Sequence, residues 1–300
     1  MGSAAPNQHV LLRLIVPREL IELASDALWA CGAQALQEVS HDATSMLLLT
    51  DLGVDPLAQW TNFIDGHPSK AMFGAWPAAV TFVDAAVGNT WRDFAVVTRV
   101  DSVVIVPDWK RTEHSLNMND NDNDTVIFVE PLGSFGIGDH PTTQATLHLA
   151  LEVSQKYGLG PQDSVLDLGC GTGVLGIALA KRFGLQAVCI DLAPAAVEST
   201  TINIALNDVG QLVSVALGDV STPTTKHELV LANILAPVLL DHAEAIASAV
   251  APNGNLILSG FNESRINDIT QRYEEIGMTF VTRCDVDNWI AASLRRSSSL

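Results

Sequence analysis

Basic residues are scarce in this chain: 16 Lys and Arg stand against 34 Asp and Glu in 300 residues, a formal net charge of −18. That balance repels nucleic-acid phosphates, so a direct nucleic-acid substrate is disfavoured and a basic partner favoured; an acidic surface that only keeps the protein soluble is the other reading. Cysteine is sparse too. Cys31, Cys170, Cys189 and Cys284 lie apart without C-x-x-C spacing, which excludes a zinc knuckle and a disulfide scaffold and suits a reducing cytoplasm. No apolar run approaches the roughly 18 residues of a membrane helix. The start MGSAAPNQ lacks the basic and apolar regions of a secretory signal, and no Ser or Thr at the sixth position supports myristoylation.

Metal ligands at a recognisable spacing are also missing. Asp120, Asp122 and Asp124 alternate as in a calcium loop, but Thr125 stands where the glycine is required and Pro131 where the closing Glu belongs, so this reads as a solvated loop. Asp139-His140 would supply an incomplete ligand set, and His140 is read as a loop-packing residue. No metal is expected.

The length suits about two domains, and 48% hydrophobic content allows a substantial core. The first part reads β-α-β-β-α-β: a β-rich run His9 to Val16, a helix Pro17 to Ala30, strands near Ala35–Val39 and Ser45–Leu49, a helix near Pro56–Ile64 and a strand near Val80–Val83. That order predicts a small ferredoxin-like α+β unit. Trp91 to Phe94 reads as a short helix, and Val103–Val106 as a strand ended by Pro107. From Val126 onward strands and helices alternate, which predicts a mostly parallel sheet covered on both faces, with Trp289–Leu294 pairing antiparallel at its edge.

Within that region Val165-Leu166-Asp167-Leu168-Gly169-Cys170-Gly171-Thr172-Gly173 joins an apolar strand to a helix start through alternate glycines. Gly169, Gly171 and Gly173 would let the backbone approach a ligand, and the helix that follows offers N–H groups to a carboxylate. Asp167 can meet an ammonium. Together these suit the amino-acid end of S-adenosylmethionine (SAM). Gly171-x-Gly173-x-x-Gly176 also satisfies a dinucleotide fingerprint, but a buried carboxylate just before the first glycine would repel a pyrophosphate. Cys170 has no activating partner in the sequence and reads as a small turn residue.

Asp191 ends the second strand of this series, where its carboxylate can accept from ribose hydroxyls; a helix cap before Pro194 is the alternative. Gly218-Asp219 could bring a carboxylate to the adenine amino group or be an ordinary turn. Asn233 ends a strand in an apolar setting. Its amide oxygen can accept from a target amine without adding a charge that would hold the amine as ammonium, though a turn-forming Asn is the bland reading. Gly133 to Thr143 forms a glycine-rich loop running into a helix capped by Thr142 or Thr143, suited to cover a cofactor.

Phe135-Gly-Ile-Gly-Asp-His-Pro-Thr-Thr143, the DLGCGTGVLGIA run from Asp167 to Ala178, and ANILA from Ala232 to Ala236 together resemble the PrmA family of bacterial ribosomal protein L-eleven methyltransferases. The likeness covers roughly Trp91 to Arg296. It includes Val104 to Lys110, similar to the family's strand and Pro-x-Trp turn, and Asp287-Asn288-Trp289, similar to its closing strand. The resemblance implies an α/β fold with a Rossmann-like SAM-dependent methyltransferase sheet. It also implies that Thr143, Gly169, Asp191 and Asn233 contact SAM, that Phe135 and Gly136 belong to a cofactor loop reaching His140, and that an N-terminal domain on a flexible linker presents amines of one ribosomal protein. Two departures stand out. The loop reads Gly-Ile-Gly-Asp where the family commonly has Gly-Thr-Gly-Thr, and the segment around Trp91 is shortened.

The resulting expectation is a substrate-recognition domain over 1–107, a polar linker over 108–125 and a methyltransferase domain over 126–300. The activity expected is cytoplasmic, SAM-dependent N-methylation of lysine or N-terminal amines on a basic protein, most simply the large-subunit protein L-eleven, with Asn233 orienting the amine and no membrane partner. A lysine methyltransferase of a non-ribosomal protein, a nucleotide-binding oxidoreductase and a cofactor-binding module without turnover are the alternatives.

Overall fold

The computed structural model describes residues 8–31, 35–52, 55–67, 69–84, 95–116, 123–132 and 134–298. The expected helix at Trp91–Phe94 and most of the acidic loop after Asn117 lie outside them. Contacts divide the chain into two units, Met1–Phe94 and Ala95–Leu300.

The first unit contains β1 (Gln8–Pro17), α1 (Ile21–Ala30), β2 (Ala35–Ser40), β3 (Ser45–Asp51), α2 (Pro56–Gly66), α3 (Lys70–Phe73) and β4 (Ala78–Asp84). The strands form one antiparallel sheet in the order β2-β3-β1-β4, which is the ferredoxin-like arrangement the element order predicts. Leu12, Leu14 and Val16 alternate along β1 into a core shared with Ala24, Leu28 and Trp60. Pro17 still pairs with Ser45 in the sheet, so the helix expected from Pro17 begins at Ile21, after a 3-10 turn at Arg18–Leu20.

The second unit opens with β5 (Thr98–Val100), β6 (Val103–Pro107), α4 (Arg111–Leu116) and β7 (Thr125–Val129). β6 and β7 pair in parallel, and Asp124 forms an ion pair of 2.7 Å with Arg99. Strand pairing thus crosses the stretch assigned to a polar linker over 108–125, and the division falls after Phe94 instead of at 107.

The remainder supplies α5 (Pro141–Tyr157), β8 (Ser164–Leu168), α6 (Val174–Phe183), β9 (Gln186–Asp191), α7 (Pro194–Leu206), β10 (Val213–Leu217), β11 (His227–Asn233), α8 (Ala236–Asp241), α9 (Ala243–Ser248), β12 (Val250–Asn262), α10 (Ile266–Glu275), β13 (Met278–Val286) and β14 (Trp289–Arg296). The seven-stranded sheet runs β10-β9-β8-β11-β12-β14-β13. β14 is antiparallel to both neighbours and lies inside the sheet, leaving β13 as the edge in the place expected for it. Leu229 and Leu231 of β11 point into one apolar layer, and Val230 and Ala232 into the other. The sheet is therefore covered on both faces, as a parallel α/β sheet must be. Strand order reverses between β8 and β11, and the crevice outside their carboxyl ends is where such sheets hold ligands.

Candidate active site

The turn after β8 folds as its glycines require. Gly169, Gly171 and Gly173 have φ of 68°, 55° and 75°, a left-handed conformation costly for residues with a Cβ. A Cβ on Gly169 would lie 2.3 Å from Ile234 Cγ2, one on Gly171 2.3 Å from the Phe135 carbonyl oxygen, and one on Gly173 2.6 Å from Thr200 Cγ2. At these Cα positions the missing side chains let the loop pack on its own protein, where the sequence had suggested room for a ligand. That packing brings the turn against Ile234, next to Asn233, and against Phe135.

Asp167 is buried beneath α6. The Gly176 N–H donates to its Oδ2 at 3.1 Å, while Oδ1 has no partner among the described residues. Burial, reinforced by the nearby Asp191 charge and only partly offset by the Gly176 bond, pushes its carboxyl up to about 7. Asp191 ties two segments together: the Gly171 N–H donates to Oδ2 and the Ala193 N–H to Oδ1, each at 2.9 Å. The cap of α7 is Ala193, so Asp191 is not a capping residue in that helix. Its carboxylate keeps lone pairs free, since each oxygen carries one of these bonds.

Asp219 is exposed and closes its own turn, accepting from the Ser221 N–H at 2.8 Å and from the hydroxyls of Ser221 and Thr222. The Gly218 N–H donates to the Asp191 carbonyl at 2.9 Å, which sets this turn beside Asp191. Asn233 is half-buried at the end of β11, and its side-chain amide forms no hydrogen bond among the described residues.

The loop from Ser134 to His140 is fastened to the glycine turn. The Thr172 N–H donates to the Phe135 carbonyl at 3.0 Å, and the Thr172 hydroxyl donates to the Gly136 carbonyl. The helix α5 is capped by His140, whose Nδ1 accepts from the Thr142 N–H at 3.2 Å; Thr142 and Thr143, expected as the cap, are its first helical threonines. His140 therefore has a local structural partner and, by burial, a pKa lowered to about 4. Thr143 is 1% exposed, yet its Oγ1 has no partner among the described residues. A buried hydroxyl without a partner is costly.

Asn203 was missed by sequence reasoning. Fully buried in α7, it donates to the carbonyls of Thr172 and Glu130 at 2.9 and 3.1 Å and accepts from the Glu130 N–H at 2.8 Å. One amide thus joins the glycine turn to the strand that leads into the loop. The signal in the sequence is the spacing of Asn203 and Asn207 by four residues, which puts one amide in the last turn of α7 and the other at its C-cap on the same side.

A family model described as ribosomal protein L11 methyltransferase (PrmA) matches residues 87–297. A Chloroflexus aurantiacus protein named ribosomal protein L11 methyltransferase is 32% identical over 242 residues, covering 72% of this chain and 70% of that protein. A Geotalea uraniireducens protein of the same name is 28% identical over 94% of this chain and 96% of its own length. The crystal structure of a ribosomal protein L11 methylase from Lactobacillus delbrueckii subsp. bulgaricus superposes with a TM-score of 0.57 at 26% identity, covering 68% of this chain and all of that one. With that matched span, those relatives and this sheet, the chain is a Rossmann-like, SAM-dependent methyltransferase and belongs to the ribosomal protein L11 methyltransferase (PrmA) family.

Proposed function

We propose that this chain methylates amines, lysine side chains or the N-terminal amine, of ribosomal protein L11, and that the crevice between β8 and β11 is where it does so. The observation that carries this reading is the set of unspent polar groups around that crevice. Asp167 Oδ1 and Thr143 Oγ1 are buried without partners, and the Asn233 amide is free, among the described residues. An acceptor-only carboxylate suits the cationic end of SAM, and a hydroxyl suits its polar groups, so the donor set fits the cofactor.

When bound, SAM supplies an electrophilic methyl group on a sulfonium. Gly169, Gly171 and Gly173 would hold its methionine end through their backbone, with Thr143 and Asp167 satisfied by it. Asp191 would accept from the ribose hydroxyls, and Asp219 from the adenine amino group. Phe135 and Gly136 would cover it. Asn233 orients the amine: its oxygen accepts an N–H, aiming the nitrogen lone pair without the charge that would hold the amine as ammonium. The amine nitrogen so aimed would take the methyl that SAM supplies, with the thioether as leaving group, and the methylated ammonium would lose its proton to water. Orientation and exclusion of water then supply most of the rate.

The unit Met1–Phe94 is assigned to substrate recognition, because the cofactor groups all come from the other unit. An acidic chain meeting a basic ribosomal protein in the cytoplasm gains association rate from opposite charge. No described helix is long and apolar enough to cross a membrane. The test is to incubate the full chain with SAM and unmodified ribosomal protein L11 and to weigh the products. Mass steps of one methylene on amine-bearing residues are expected. SAM binding without any such step on ribosomal protein L11 would move the substrate to another protein.

A further inference from the structure

Three rings near the crevice belong to neither apolar layer of the sheet. His140 stands between Phe135 and Trp289, with ring centroids 5.1 and 5.3 Å away and planes inclined at 67° and 63°. Phe135 is 47% exposed. His140 and Trp289 are only partly buried, so the edge-to-face row leaves aromatic surface open to a ligand.

Their attachment points explain what they span. Phe135 is pinned by its carbonyl to Thr172 in the turn after β8. Trp289 opens β14 directly after a turn whose residues Asp287 and Asn288 have φ of 46° and 69°, and it pairs with Asn262 at the carboxyl end of β12. In the sheet order β8-β11-β12-β14 the row of rings therefore runs from the end of β8 to the end of β12, past the end of β11. Asn233 ends β11.

Building on the methyltransferase reading, we propose that Phe135, His140 and Trp289 form an aromatic wall that receives the substrate's alkylamine side chain and its methylated ammonium forms beside Asn233. Aromatic faces attract alkylammonium groups, and each added methyl brings more apolar area to bury while the charge persists. The three rings carry no carboxylate, and Asp139 and Asp287 beside them in the chain are exposed, where water weakens their hold on an ammonium and leaves proton loss between rounds open. His140 is neutral near pH 7, since burial holds its pKa at about 4, so it adds no repulsion. Trp289 is a positioning residue for the amine and for the number of methyl groups it accepts.

The binding test uses the full chain saturated with S-adenosylhomocysteine, titrated by NMR with butyltrimethylammonium and with its neutral carbon isostere. Wild type should prefer the cation by about fivefold, the size of an exposed cation–π contact. Trp289→Ala should abolish the preference, Trp289→Phe should keep most of it, and S-adenosylhomocysteine affinity should stay within about twofold. On ribosomal protein L11, Trp289→Ala should raise KM more than it lowers kcat and shorten the ladder of methyl additions, with Trp289→Phe restoring it. No cation preference in wild type, or an unchanged preference in a folded Trp289→Ala protein, overturns the wall whatever the activity. Cation preference with no transfer to ribosomal protein L11 upholds the wall and sinks only the substrate assignment.

Discussion

The two ends of the central sheet hold similar polar side chains in opposite conditions. At the amino end of β8 and β11, Ser164, His227 and Glu228 have the composition of a hydrolytic triad but not its connectivity. The Ser164 N–H and hydroxyl both donate to Glu228 Oε2 at 2.9 Å, His227 Nδ1 lies 2.9 Å from the Ser164 hydroxyl, and Nε2 lies 3.1 Å from the Thr225 hydroxyl. With the Ser164 proton committed to Glu228, Nδ1–H donates to Ser164 and Nε2 accepts from Thr225. The serine is clamped and no base is left to activate it. At the carboxyl end Asp167, Thr143 and Asn233 each keep an uncommitted atom. A spent polar cluster is a clasp; an unspent one, at a reversal of strand order, is a site.

The largest effect belongs to the carboxyl end. Asn233→Ala should lower single-turnover methyl transfer by about 10- to 100-fold at saturating SAM, the loss of one positioning contact, while SAM affinity changes little. Asn233→Asp should also be slow, because a carboxylate stabilises the ammonium, and should recover partly as pH rises. Wild-type rates from both variants would reduce Asn233 to a strand-ending residue.

Asp167 gives the next test. Its carboxyl is raised from the ordinary 3.8 to about 7, so between those values the native chain holds a proton that the unfolded chain has lost. Stability of the ligand-free protein should therefore fall as pH rises through that window and level off above about 7. Asp167→Asn should flatten the profile in urea denaturation measured across it. If a cation from SAM lies beside Oδ1, binding near pH 6 should release protons, read by calorimetry in buffers of different ionisation enthalpy. Uptake of protons on binding would place Asp167 away from that cation.

The glycine turn and the alternation of strands and helices were legible in the sequence because they are local: period-two apolar residues, positive φ at fixed offsets, a proline opening a helix. Asn233 and Asp191 were legible as strand ends. What the sequence could not supply depends on distant partners. The helical run from Ala236 to Ser248 breaks at His242 into α8 and α9. β12 reaches back to Val250 through Asn253 at φ 61°. Neither the contact of Trp289 with His140 nor the clamp by Asn203 has a nearby sequence partner.

The amino-end clasp should answer in stability alone. Ser164→Ala removes the hydroxyl bridging Glu228 and His227, at a cost of about 1–3 kcal/mol for unpaired polar groups, or several degrees in Tm. SAM affinity and methyl transfer in the folded variant should match wild type. A selective loss of transfer would show that the amino end takes part in the chemistry.

The smallest effect tests what this chain has changed at the carboxyl end. Asp139 stands, exposed, beside His140 where the family commonly has threonine, and it adds a negative charge at the rim of the crevice. An exposed charge acts on a basic protein mainly through encounter, an effect screened beyond a Debye length of about 10 Å at 0.1 M salt. Asp139→Thr should therefore lower kcat/KM for ribosomal protein L11 by about twofold or less at low salt, with the difference vanishing as salt is raised. Single-turnover rates at saturating substrate should move less than kcat/KM does. A salt-independent loss would assign Asp139 to direct contact with the amine or cofactor, and would make the carboxyl end a site in which this chain holds its substrate by charge as well as by aromatic faces.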